Sequence, residues 1–153
     1  MISNIELKRQ LHQHCLGYIE DRFKTIQNTI NDIQESLFSE TKSSAGDKHE
    51  TGRAMLQLER EKAGNQLSEI QKVKEAFSKI DISKNPKVIG LGSLVYTTKS
   101  NYYIAISAGE IKFNDHIIYA ISPKTPIGKL LMGKSCGDTI VFNDAIFTIT
   151  ILI

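Results

Sequence analysis

A chain of 153 residues with 24% charged and 41% hydrophobic side chains is long enough to bury a core and polar enough to fold in water. No apolar run approaches the ~20 residues that span a bilayer, and a net charge of +2 is too small to mark a nucleic-acid binder by itself. Met1 to Gln10 lacks the apolar core of a signal peptide, which points to the cytoplasm. Cys15 and Cys136 stand far apart and outside any metal-ligand spacing, so both are expected as reduced, buried or half-buried thiols.

The first element is a long helix. Leu16, Ile19, Phe23, Ile26, Ile30, Ile33 and Leu37 alternate spacings of three and four, an unbroken heptad seam with polar residues between its members. A helix from Asn4 to Thr41 would be roughly 55 Å long at 1.5 Å per residue. The return segment carries a second seam, with Leu56, Ala63, Ile70 and Phe77 seven apart and Leu67, Val73 and Ile80 beside them. Each seam is too narrow for a globular core and each matches the other, so residues 1–82 are expected to form an antiparallel coiled-coil hairpin. A parallel dimer through the first helix is the alternative.

The hairpin tip at residues 43–50 reads Ser-Ser-Ala-Gly-Asp-Lys-His-Glu. Ser43 to Gly46 supply turn residues. Asp47 is a natural N-cap, with Glu50 three residues on at the acidic position of a capping box. On pattern alone this acidic pair is a cap. His49 between the acids is a candidate proton shuttle at neutral pH, though an exposed turn histidine is usually a bystander. His12, His14 and His116 form no ligand set.

Asp81 to Lys87 breaks the helix at Ser83, Asn85 and Pro86. From there to residue 153 short β-branched and aromatic runs predict strands at Leu94–Thr98, Tyr102–Ser107, Ile117–Ile121, Thr139–Phe142 and Ile146–Leu152. One short helix is expected after Thr125 as N-cap, with Pro126 at its first position and Gly133 closing it. The fold class is therefore α+β: a helical hairpin, then a small antiparallel sheet over one helix in residues 86–153. Gly90 and Gly92 lack the form of a phosphate loop.

The run Ser122-Pro123-Lys124-Thr125-Pro126-Ile127-Gly128-Lys129-Leu130-Leu131-Met132-Gly133-Lys134-Ser135-Cys136-Gly137-Asp138 resembles the signature in the C-terminal, FKBP-like domain of the bacterial Gre transcript-cleavage factors. Gly46-Asp47-Lys48-His49-Glu50 resembles the first half of that family's acidic tip, while Thr51-Gly52-Arg53-Ala54 departs from the second half. The resemblance covers nearly the whole chain, in the same domain order. It implies a monomeric elongation factor whose coiled coil enters the secondary channel of RNA polymerase. It implies that Asp47 and Glu50 would hold a Mg²⁺ ion shared with the polymerase and act on the 3′ end of backtracked nascent RNA. The chain would then stimulate the polymerase's own endonuclease and be no nuclease alone. Lys42, Lys48 and Arg53 would contact RNA or polymerase near the tip, and Ile127, Lys129, Leu131 and Lys134 would dock on the polymerase. The changed residues after Glu50 leave room for a regulator that binds the channel without cleavage. A prolyl isomerase is not expected, since the chain has no Trp and few aromatics to line a pocket.

Overall fold

The computed structural model describes residues 3–42 and 47–153, without the side chains of residues 40–42 and 47–49. Two long helices, α1 (Asn4–Lys42) and α2 (Asp47–Ser78), lead into six strands and a short helix. The strands are β1 (Leu94–Thr97), β2 (Asn101–Ile104), β3 (Gly109–Phe113), β4 (His116–Ile121), β5 (Thr139–Phe142) and β6 (Ala145–Leu152), with α3 (Pro126–Leu131) between β4 and β5. The fold is α+β. The chain divides into two compact units: Ile19–Glu75, and Met1–Tyr18 together with Ala76–Ile153.

The first unit is built from helix. Its buried residues are Ile19, Ile26, Ile30 and Ile33 of α1 with Ala63 and Ile70 of α2, the positions of the two heptad seams. Phe23, Leu37, Leu56, Leu67 and Val73 are half-buried along the same lines. Because each helix presents a stripe only about two positions in seven wide, the other helix is enough to cover it. The Lys74 ammonium sits 5.4 Å from the centre of the Phe23 ring, pairing the end of α2 with the middle of α1, as antiparallel helices require. The seam is buried within a single chain, which leaves a parallel dimer through α1 without its driving force.

The second unit is built on a sheet of order β3-β4-β2-β1-β6-β5. Neighbours are antiparallel except β2 and β4, which run parallel with Tyr102 beside Tyr119 and Ile104 beside Ile121. The sheet is thus mixed rather than wholly antiparallel. The chain leaves β2, forms β3 one place further out, and returns through the Asn114-Asp115 turn to lay β4 into the gap. A strand, not a helix, makes the crossover, so the usual cue for a parallel pair is missing. β3 was not among the expected strands: it starts on a glycine and alternates Glu110 and Lys112 with Ile111 and Phe113.

Both faces of the central strands are covered. Val95, Ile104, Ile140, Phe147 and Ile149 form one core with Ile89 and with Leu131 of α3. On the opposite face Leu94, Tyr103, Ile118 and Ala120 are buried, and the first turns of α1 bring Leu7, Leu11 and Cys15 into burial at a spacing of four. The Tyr103 hydroxyl lies 3.1 Å from Nδ1 of His12, whose ring stacks on Phe77 at 4.1 Å between centroids. Those contacts join the first turns of α1, the end of α2 and β2. Burial pushes the Cys15 thiol up to about 12, so it stays protonated and inert. Cys136, expected as buried or half-buried, is instead exposed, with its Sγ 3.0 Å from the Thr150 carbonyl.

Candidate functional site

Asp47 and Glu50 fall in the first turn of α2, three residues apart and therefore on one side of the helix. A helix N-terminus carries a partial positive charge, which favours acidic residues in its first turn. The Glu50 side chain is exposed. The turn Ser43–Gly46 and the side chains of Lys42, Asp47, Lys48 and His49 lie outside the described residues, and with them the capping role expected of Asp47. One turn on, Gly52 stands inside the helix, where it costs about 1 kcal/mol relative to alanine. Arg53 is half-buried and engaged by a neighbour. The acidic turn is thus followed by a locally weakened one.

As a place for a divalent cation, this pair supplies hard oxygen donors of the kind Mg²⁺ takes, but Mg²⁺ asks for six ligands in octahedral array. Two carboxylates on one helical turn fit half of such a site. The remaining ligands would have to come from water and a partner. Among the described residues no group of three or more His, Cys, Asp or Glu side chains is gathered to hold a metal.

The second expected site is the segment Ser122–Asp138. Thr125 caps α3, its Oγ1 accepting from the Gly128 N–H at 3.1 Å and donating to the Ser122 carbonyl at 2.7 Å. The Ser122 hydroxyl accepts from the Lys124 N–H at 3.1 Å. At Gly128 a methyl group would overlap the Ser122 carbonyl oxygen and stand 2.8 Å from Thr125 Oγ1, so only glycine fits. Gly133 follows the helix with φ of 80°, the left-handed cap position that glycine takes without strain. The Asp138 carboxylate accepts from the Ser135 N–H at 2.8 Å and closes the turn into β5. Most of the signature is therefore occupied in shaping its own turns. Of the residues expected to dock, Lys129 and Lys134 are exposed and Ile127 is half-buried. Leu131 is 0% exposed and belongs to the core, so it offers no surface to a partner; Leu130 and Met132 are the exposed apolar side chains beside it.

Two residues escaped the sequence reading. Lys8 is only 2% exposed, and its ammonium donates to the Lys84 carbonyl at 3.2 Å. Burial lowers its pKa, partly offset by the charge of Asp81. Asp81 is itself held below the usual carboxylate range, first by the Ser83 hydroxyl at 2.5 Å and then by the Ser83 N–H at 3.0 Å. Lys8 lies in the wall of two shallow clefts of about 350 and 190 Å³. His12 is the other, and its pKa too is lowered by burial. The signal was available: Leu7, Lys8, Leu11, His12 and Cys15 form a broader stripe than a two-helix seam needs, which says that this part of α1 faces something larger than another helix.

No family model matches the chain, and no curated protein sequence does. Among solved structures, one titled "Structure of the transcription factor Gfh1" aligns over 92% of this chain and 92% of that one, at 17% sequence identity and a TM-score of 0.34. Similarity at that level carries no argument about function, which has to be read from this chain's own residues.

Proposed function

We propose that this chain is a transcription elongation factor of Gre type, which enters the secondary channel of RNA polymerase with its helix pair and stimulates cleavage of backtracked RNA. The observation that supports it is a combination in one chain. A helix pair joined by residues 43–46 opens its second helix on Asp47 with Glu50 one turn later, and a sheet unit follows whose Ser122–Asp138 run resembles the family's signature.

In this reading the hairpin's work is delivery. Polymerases cut and join RNA with two metal ions about 4 Å apart, the second ion stabilising charge on the attacking and leaving oxygens. Asp47 would donate a carboxylate oxygen to Mg²⁺ shared with the polymerase. Glu50, on the same helical side, would accept a hydrogen bond from the water that attacks the RNA, or complete the metal's ligands. The paired carboxylates would have to be held by a stiff helix, since a misplacement of 1 Å can cost ~100-fold in rate. Lys42, Lys48 and Arg53 would balance RNA phosphates near the tip. Lys129 and Lys134, with Leu130 and Met132 between them, would meet the polymerase surface.

One observation favours a second reading. Gly52 and half-buried Arg53 follow the acids directly, and a softer helix turn there fits a channel-binding regulator that does not stimulate cleavage.

The experiment is RNA release from a stalled, backtracked polymerase complex with the purified chain and Mg²⁺. Short 3′ fragments are expected, and they should vanish with Asp47→Asn, which keeps a good capping side chain but loses the charge, and with Glu50→Gln. Binding without fragments selects the regulator. Absence of binding removes both readings.

A further inference from the structure

The two edges of the sheet differ in chemistry. In the β3–β4 hairpin Phe113 pairs with His116 across a two-residue turn, which makes 113, 111 and 109 the positions bonded to β4. The backbone groups of Glu110 and Lys112 therefore point outward. Charged side chains on an outward edge resist pairing with another strand. At the other edge, Phe142 pairs with Ala145 across Asn143-Asp144, whose φ angles of 50° and 63° mark the tight hairpin turn. The Asp138 carbonyl accepts from the Ile149 N–H at 2.9 Å, which sets the same phase: 138, 140 and 142 bond to β6. The N–H and C=O groups of Thr139 and Val141 are left facing outward, on the side where the sheet ends.

No charge lies within the edge strand itself; the exposed Asp138 and Asp144 flank it, and the Asp138 carboxylate is turned to the Ser135 N–H. β5 reads Thr-Ile-Val-Phe and β6 reads Ala-Ile-Phe-Thr-Ile-Thr-Ile-Leu, nearly all of high β-propensity and none charged. Val141 and its cross-strand partner Ile146 are 61% and 72% exposed on the face away from the core. An uncharged edge beside an apolar pair is what strand addition uses.

We propose that β5 is a self-association edge, pairing antiparallel with β5 of a second copy of this chain about a two-fold axis at Ile140. Thr139 of one copy then faces Val141 of the other and the reverse, so that all the outward groups are used in about four backbone hydrogen bonds. The strand is its own complement: its outward residues carry no charge to oppose a like charge, and Val141 with Ile146 of each copy forms one apolar stripe across the junction. The interface is small, so the association is weak, with a dissociation constant of ~0.1 mM.

The test is sedimentation of the full chain from about 10 µM to about 1 mM, with amide hydrogen exchange read at both ends of that range. The weight-average mass should rise toward about twofold, and the Thr139 and Val141 amides should gain protection as it does. Val141→Pro, which removes one outward N–H at an edge position that tolerates proline, and Val141→Lys should both keep the chain monomeric. Glu110→Ala at the other edge should leave the association unchanged. A chain that stays monomeric at about 1 mM overturns the proposal. So does association that survives both Val141 variants, or protection of Thr139 and Val141 that appears only when a different, extended peptide is added.

Discussion

In the helix pair Ile19–Glu75, apolar burial is confined to one seam; in the sheet unit it occurs on both faces of the central strands. The difference shows in the depth of burial. Leu94, Val95, Tyr103, Ile104, Ile118 and Leu131 are fully enclosed, whereas in the seam Ile19 reaches that depth but Ile26, Ile30, Ile33 and Ile70 keep 4–8% of their surface. A two-layer contact leaves water along the flanks of most seam residues. A sheet covered on both sides encloses its central residues completely. The hairpin is thus the part whose local opening costs least, and the sheet unit the part that sets the global stability. The first turns of α1 belong with the sheet unit: His12 reaches the Tyr103 hydroxyl of β2 as well as Phe77 of α2, and Leu7, Leu11 and Cys15 are buried beside it.

The largest effect should come from the sheet core. Leu131→Ala removes a fully enclosed side chain of α3 and should cost about 3–4 kcal/mol, read as a fall in the denaturation midpoint at unchanged m-value. A loss below about 1 kcal/mol would mean that α3 does not close that core. Gly128→Ala comes next, and its sign is the informative part. Alanine normally stabilises a helix by about 1 kcal/mol over glycine. Here its methyl meets the Ser122 carbonyl and crowds the Thr125 cap, so a loss of about 2 kcal/mol is expected, with faster exchange of the α3 amides.

Ile30→Ala tests the other side of the comparison. The seam residue is 4% exposed and packed from one direction, so the cost should be about 2 kcal/mol, at the low end for such truncations. Hydrogen exchange should quicken through Ile19–Glu75 and leave the amides of β1, β2 and β6 as they were. Equal loss of protection in both units would show a single cooperative structure and erase the difference between them.

The two regions were also unequally legible. A heptad repeat is a local signal, and the seam from Leu16 to Leu37 can be read without knowing its partner because every residue in it does the same thing. The strands were legible where they alternate or run β-branched, as at Thr139–Phe142. Their partnership was not, because the parallel β2–β4 pair depends on β3, a glycine-led strand with two charges. The Ser122–Asp138 signature could be recognised, yet its residues serve the fold as caps and turns, so it speaks for architecture more directly than for a binding surface. Leu131 illustrates this: its place in the signature suggested docking, and only the packing of α3 on β5 shows it to be core. At the tip the reverse holds. The spacing of Asp47 and Glu50 carries the functional reading, and the helix start that places them is as much a reason for acids as catalysis is.

The smallest expected effect lies in the sheet unit, where the first turns of α1 and the end of α2 pack on β2. His12 stacks on Phe77 and reaches the Tyr103 hydroxyl, and burial lowers its pKa from the ordinary 6.5. The folded state therefore prefers the neutral ring, and between the lowered value and 6.5 the unfolded chain binds more protons. Stability from this residue is fully present above pH ~6.5 and is lost as the pH falls through that window toward the folded value. Thermal midpoints measured from pH 8 down to pH 5 should show this slope in the wild-type chain and a flatter one in His12→Gln, which keeps a polar group near Tyr103 but cannot titrate. Burial lowers Lys8 as well, but Lys8, His14 and His116 are present in both chains, so the difference between the two slopes belongs to His12. An identical slope in the two proteins would place the acid sensitivity elsewhere and leave the His12–Phe77 stack as packing alone.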